Sequence, residues 1–281
     1  MRFTKMQGIG NDYVYVNAFE ERVEDPSALA IAISDRHFGV GGDGLVLICP
    51  SDIADFRMRM FNADGSEGDM CGNASRCVAK YVYDRGLTKK STVTLETPSG
   101  IKTLMMTIQD GVVASVRVDM GQPKLRCEEV PCTLGTGIVK MAPITALGRT
   151  FYITPVCTGN PHGVIVLDEP VEEFDLAKYG PVLECHPAFP KKANIEFVNV
   201  LSTDRLRMRV WERGSGITLA CGTGSCAALV ACHENGLCGR KATIVLDGGE
   251  LVDEWDAETG HVLMTGPAAF VFDGVYTPTH R

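Results

Sequence analysis

A chain of 281 residues with a 45% hydrophobic fraction is long enough for two packed domains and leaves no room for a disordered or low-complexity reading. A formal net charge of −8 disfavours nucleic acid or an anionic membrane surface as the main partner, since both reward a basic face. The 11 cysteines are odd in number, and the opening residues MRFTKMQGIGNDYVYV carry no secretory pattern, so reduced thiols in a soluble cytoplasmic protein are expected.

In chain order, Gly10-Asn11 introduces a β-branched and aromatic run, Tyr13 to Val16, that reads as a strand. ALAIAISDRHF reads as a helix. The hexapeptide Gly39 to Gly44 has the spacing of a dinucleotide-binding fingerprint, but it lies between a helix and a strand, the reverse of the order that motif needs, and is rejected. A strand from Leu45 to Ile48 and another at RMRMFN lead to a glycine-flanked turn at Cys71. The stretch from Ser75 to Asp84 loses strand alternation and stops at Gly86, as a helix does. The strands VTLETPSG, KTLMMTIQ and VASVRVDM follow. The turn Gly121-Gln122-Pro123 marks the domain boundary.

The second half repeats the first. RMRMFNADGSEGDMCGNASRC from Arg57 lies without a gap over RMRVWERGSGITLACGTGSC from Arg207, 150 residues on, so that Cys71, Gly72 and Ser75 meet Cys221, Gly222 and Ser225. Gly159-Asn160 matches Gly10-Asn11, and Asn194 before Ile195 to Val198 matches Gly44 before Leu45 to Ile48. Each half therefore reads as strand, helix, strand, strand, Cys turn, helix. The second helix, Ser225 to Glu234, is apolar almost all round and is expected to be buried within strands, ahead of ATIVLD and HVLMTG. A last run, Ala268 to Tyr276, is expected to cross back to the first domain. The domains are thus 1–121 with 266–281, and 122–265.

The chemistry is concentrated at the two Cys turns. A cysteine just ahead of a helix faces unpaired N–H groups and the positive end of the dipole, a setting expected to lower its pKa. The amides after it, at Gly72-Asn73 and Gly222-Thr223, suit one carboxylate. A pair of thiols suits a reaction whose product is the mirror image of its substrate at one carbon, one thiolate removing a proton and one thiol returning another. Asn11, Asn62, Asn160 and Asn194 recur in register with the repeat. Arg213 suits a bidentate carboxylate clamp, Glu212 an ammonium, and His162 the tuning of a thiol. No metal is expected: the two C-x4-C pairs, Cys127 with Cys132 and Cys221 with Cys226, lack the matching second pair of a zinc site.

At KMQGIGNDYVYVN, FNADGSEGDMCGNASRC, TGNPHGVIVLD, NIEFVNV and VWERGSGITLACGTGSCAA, which span nearly the whole chain, the sequence resembles the diaminopimelate epimerases. That resemblance implies an α/β (α+β) fold of two pseudo-symmetric halves, each a barrel-like, mostly antiparallel sheet around a central helix, with the active site in the cleft between them. It implies cofactor-independent interconversion of LL- and meso-2,6-diaminopimelate in lysine and peptidoglycan precursor synthesis, with Cys71 and Cys221 as acid and base. Asn11, Asn62, Asn160, Asn194, Glu212 and Arg213 would hold the distal amino-acid end, Gly72, Asn73, Gly222 and Thr223 the reacting carboxylate, and His162 with Glu212 would tune the thiols. The partners expected are the small-molecule substrate and a second copy of the chain, as a homodimer, without pyridoxal phosphate or metal. Departures from the family pattern are Ala74-Ser75, Ile217, Ser225, and Gly44 where some members carry a substrate-contacting Gln. Two rivals are a proline or hydroxyproline racemase, whose first turn carries His where this chain has Asn73, and a non-catalytic binding protein for basic amino acids.

Overall fold

The computed structural model describes residues 1–68 and 70–277, so residues 278–281, assigned from sequence to the first half, lie outside the described residues. The chain divides into two compact units, one running from Met1 to Val118 and resuming at Thr265, the other from Asp119 to Met264. Strands dominate both.

In the first unit, β1 (Arg2–Gly8) and β2 (Asn11–Asn17) form an antiparallel hairpin. A crossover through α1 (Pro26–Ser34) returns the chain to β3 (Gly44–Cys49), parallel to β2. Pro26 opens α1 with its φ already helical, and the Asp25 side chain caps it by accepting the Ala28 N–H. β4 (Phe56–Asn62) is antiparallel to β3, and the short β5 (Glu67–Gly68) pairs back onto β4. Then come α2 (Gly72–Asp84), β6 (Thr92–Thr97), β7 (Gly100–Gln109) and β8 (Val112–Asp119). β6 runs parallel to β4, while β7 and β8 add antiparallel strands.

The second unit begins with the hairpin of β9 (Ala142–Ala146) and β10 (Arg149–Cys157) and then repeats the same plan. β10 pairs antiparallel with β11 (Pro161–Val166), α3 (Leu176–Glu184) crosses over, and β12 (Asn194–Ser202) lies parallel to β11. β13 (Arg205–Glu212) and β14 (Gly216–Thr218) lead to α4 (Gly222–Glu234), followed by β15 (Lys241–Leu246), β16 (Gly249–Trp255) and β17 (Val262–Gly266). The register is repeated as well as the order. Leu45 faces Phe61 across β3 and β4, as Ile195 faces Trp211 across β12 and β13, and Phe61 faces Glu67 as Trp211 faces Ile217. The late run forms β18 (Ala269–Val275), antiparallel to β1.

Alternation along β3 and β12 sorts side chains between two faces. Leu45 and Leu47 join Ile33 and Ala30 of α1 in one core, as Ile195 and Phe197 join Leu176 and Leu183 of α3. The opposite face of β12 looks toward α4, while α2 packs on β1, β2 and β7; both helices are buried nearly all round, as expected for α4. Each fully buried Leu, Val or Ile there contributes about 1.5–3 kcal/mol over its exposed state. Both helices begin three residues earlier than the sequence suggests, at Gly72 and Gly222, because the cysteines themselves are the N-caps. They stop where Gly86 and Gly236 take φ of 77° and 73°, a left-handed conformation that ends a helix at no Cβ cost. Among the described residues, no helix is long and apolar enough to cross a membrane.

Candidate active site

Each Cys turn stands where an antiparallel pair of strands feeds a buried helix. Cys71 is extended, with φ −137° and ψ 117°, and its Sγ accepts the Ala74 N–H at 3.4 Å in the manner of a Ser or Thr cap. Cys221 has nearly the same backbone, φ −127° and ψ 108°. Ser75 and Ser225 are fully buried and donate their hydroxyls back to Cys71 O and Gly222 O, each at 2.9 Å. Both hydroxyls therefore serve the first turn of their helix. The amides of Gly72 and Asn73, and of Gly222 and Thr223, lie in those first turns, where a helix has no carbonyl to offer them.

Around Cys71 the first unit gathers Asn11 and Asp43. The thiol donates to Asn11 Oδ1 at 3.4 Å, and Asn11 Nδ2 donates to Asp43 Oδ2 at 2.8 Å. Asn62 Nδ2 donates within its own turn to Ser66 Oγ at 3.0 Å. Asn73 is buried in α2. Gly44 supplies no side chain and has no space for one: a Cβ there would stand 2.0 Å from Phe61 O and 2.8 Å from Tyr13 Cε1.

Around Cys221 the second unit is more crowded. The thiol is buried, 3.6 Å from Thr223 Oγ1 and 4.0 Å from Asn194 Nδ2. Thr223 is anchored through its carbonyl, which accepts from Thr158 Oγ1 at 2.9 Å. Glu212 accepts from Thr218 Oγ1 at 2.5 Å. The Arg213 backbone N–H donates to Asn194 Oδ1 at 2.7 Å, and its exposed guanidinium reaches Lys191 O at 3.1 Å. His162 is fully buried between Glu196 Oε1, 2.7 Å from Nδ1, and Asn160 Oδ1, 2.9 Å from Nε2. Ile217 is exposed on β14.

The thiol expectation needs correction at Cys221. Burial pushes this thiol well above its ordinary range; the Glu212 and Glu196 carboxyls push the same way, and the Thr223 hydroxyl and Gly224 N–H pull against them without prevailing. Burial likewise raises the Glu212 carboxyl. The helix terminus is present, but desolvation and two acidic neighbours outweigh it. Among those neighbours the Glu212 carboxyl raises Cys221, against the lowering expected of the helix terminus.

Glu196 is the site residue that the sequence reading passed over. It is fully buried, on the face of β12 that looks toward α4, and burial raises its carboxyl. A Cβ at Gly224 would lie 2.7 Å from its Oε1 and 3.2 Å from Cys221 Sγ, so the carboxyl and the thiol flank the same glycine. The signal was available: one repeat earlier stands Val46, and a carboxylate in the middle of a buried strand is out of place without a partner. Among the described residues, no group of three or more His, Cys, Asp or Glu is placed to hold a metal ion, and all eleven cysteines are unbridged.

Comparison with known proteins agrees with this doubled frame. The family model for diaminopimelate epimerase matches residues 3–126 and 154–271. Over 274 residues the chain is 57% identical to the diaminopimelate epimerase of Acetivibrio thermocellus, with 98% of each chain covered. It is 54% identical over 274 residues to that of Methanococcus maripaludis strain C5, covering 98% of this chain and 99% of the relative. In fold, it resembles the crystal structure of a hydroxyproline epimerase from Agrobacterium vitis, with a TM-score of 0.67 at 16% identity, over 98% of this chain and 90% of that one. The match runs through both repeats, and more than half of all aligned positions are shared with named relatives over nearly the full length; the chain belongs to the diaminopimelate epimerase family.

Proposed function

We propose that the chain is an isomerase that interconverts LL- and meso-2,6-diaminopimelate, without metal or pyridoxal cofactor, by a two-base reaction of Cys71 and Cys221. The observation that carries this reading is the repetition of an N-cap cysteine at the head of a buried helix in each unit. In one direction, a thiolate takes the α-proton and the C–H electron pair passes into the α-carbon and its carboxylate. The other cysteine delivers its thiol proton to the opposite face and becomes the thiolate, so the two exchange roles at each turnover. The raised Cys221 thiol suits it to begin as the acid. Amides at Gly72, Asn73, Gly222 and Thr223 would share the charge that develops on the carboxylate. Asn11, Asn62, Asn160, Asn194, Glu212 and Arg213 would hold the distal amino acid.

Turnover in D2O tests the reading: the epimerised product should carry deuterium at the inverted carbon, and exhaustive dialysis against EDTA should leave the rate unchanged. Product that keeps its original hydrogen, or activity that is lost on dialysis and restored by a metal, would overturn it. We also propose that the protein works as a homodimer in the cytoplasm, supplying a precursor for lysine and peptidoglycan; sedimentation at micromolar concentration tests the assembly.

A further inference from the structure

Asn11 and Asn160 hold equivalent places in the repeat, yet their amides are anchored by opposite ends. Asn11 Nδ2 is held by the Asp43 carboxylate, which leaves Oδ1 to accept from the Cys71 thiol. Asn160 is held by Oδ1 against His162 Nε2, and its Nδ2 makes no hydrogen bond among the described residues, although the side chain is partly exposed. Such a contact requires hydrogen on Nε2, because two acceptors cannot bond. Nε2 is protonated in a neutral imidazole only when Nδ1 is an acceptor, and in an imidazolium when Nδ1 faces an anion. Glu196 meets both cases. As a carboxylic acid it donates to Nδ1, and as a carboxylate it accepts from it; the pair is net neutral either way and Nε2 keeps its hydrogen.

We propose that Glu196 is a positioning residue that acts through His162 to fix the Asn160 amide with its N–H donors toward the substrate. In the first unit Tyr13 and Val46 fill the corresponding places, both buried, so no carboxyl stands beside an imidazole there. A buried carboxyl beside a buried imidazole costs desolvation that an apolar pair avoids, so its presence in one half of an otherwise repeated frame calls for a use. The Glu196 Oε2 atom is buried without a hydrogen-bond partner among the described residues, and burial raises the carboxyl, as expected of a group whose proton is shared with Nδ1. The substrate-facing role of Asn160 rests on the proposed function; the state of His162 does not.

The test has two arms. In the full-length wild-type protein, nitrogen NMR of the His162 ring near neutral pH should show hydrogen on Nε2; an Nε2 without hydrogen overturns the proposal whether or not the protein is an epimerase. In kinetics, Glu196→Val should raise KM for diaminopimelate about tenfold, the loss of one hydrogen bond, with a smaller change in kcat. Glu196→Gln still offers an N–H to Nδ1 and should stay within about threefold of wild type. If Glu196→Gln is as impaired as Glu196→Val, charge rather than positioning is the role and the proposal fails. It fails too if Glu196→Val melts earlier yet binds substrate normally.

Discussion

The side chain of Asn194 holds the backbone of Arg213: its Oδ1 accepts the Arg213 N–H at 2.7 Å, at the point where β13 gives way to the turn before β14. The other end of the same amide faces the Cys221 sulfur at 4.0 Å. One buried amide therefore sets both the turn that carries Arg213 and the surroundings of a thiol.

Asn194→Ala should cost about 1–3 kcal/mol of stability, because it leaves a backbone donor unpaired next to a cavity. KM for diaminopimelate should rise in parallel as the Arg213 turn loosens. Urea titration and initial rates on the same preparation check it; an unchanged KM would dissociate Arg213 from substrate binding.

Cys71→Ala and Cys221→Ala should each abolish epimerisation in both directions with the fold retained, since each thiol is the acid in one direction and the base in the other. Circular dichroism and product stereochemistry check this pair. Ordinary turnover by either variant contradicts a two-base reaction.

Stability should fall on the alkaline side. Burial pushes the Cys77 thiol up to about 11 and raises Cys221 well above its ordinary range, whereas an unfolded thiol titrates near ~8.5. Both groups hold their protons more tightly when folded, so their contribution is complete below about pH 8.5 and is lost as pH rises toward the folded values. Denaturation midpoints between pH 8 and 11 should decline, and Cys77→Ala should flatten the slope.

Gly44→Ala should destabilise the first unit by about 1–3 kcal/mol, since its Cβ would meet Phe61 O and the Tyr13 ring. Gly44→Gln should be at least as damaging, since the longer side chain starts from the same obstructed Cβ. Melting temperatures decide it.

Arg213→Leu should remove most activity on diaminopimelate while leaving the alkylation rates of Cys71 and Cys221 as they were. Wild type should reject lysine, which lacks a distal carboxylate, by about 10⁴ or more. Racemisation of lysine or proline within tenfold of diaminopimelate turnover would remove the distal-site assignment.

Much of the frame was legible because the chain repeats itself: two copies of the Cys turn, two glycine stops at Gly86 and Gly236, and two strand runs before them make each half a check on the other. The helix starts were misplaced, since Gly-Asn and Gly-Thr look like loop until the cysteine is seen to be the cap. β5 and β14, of two and three residues, are too short to show a period. Glu196 escaped because its environment, a strand pressed against α4, comes from tertiary packing; the shift at Cys221 escaped for the same reason, since helix position could be read from sequence and desolvation could not.

The register shared by the two units also constrains how they differ. Gly224 corresponds to Ala74, and a methyl group at 224 would stand 2.7 Å from the Glu196 carboxyl. An alanine at 224 could be seated only if the Glu196 carboxyl moved from its place beside Gly224 and His162, whereas in the first unit Val46 stands in place of the acid and Ala74 is admitted. Gly224 is therefore the space that the acidic residue occupies, and Gly224→Ala should disturb the Glu196–His162 pair although it adds only a methyl group.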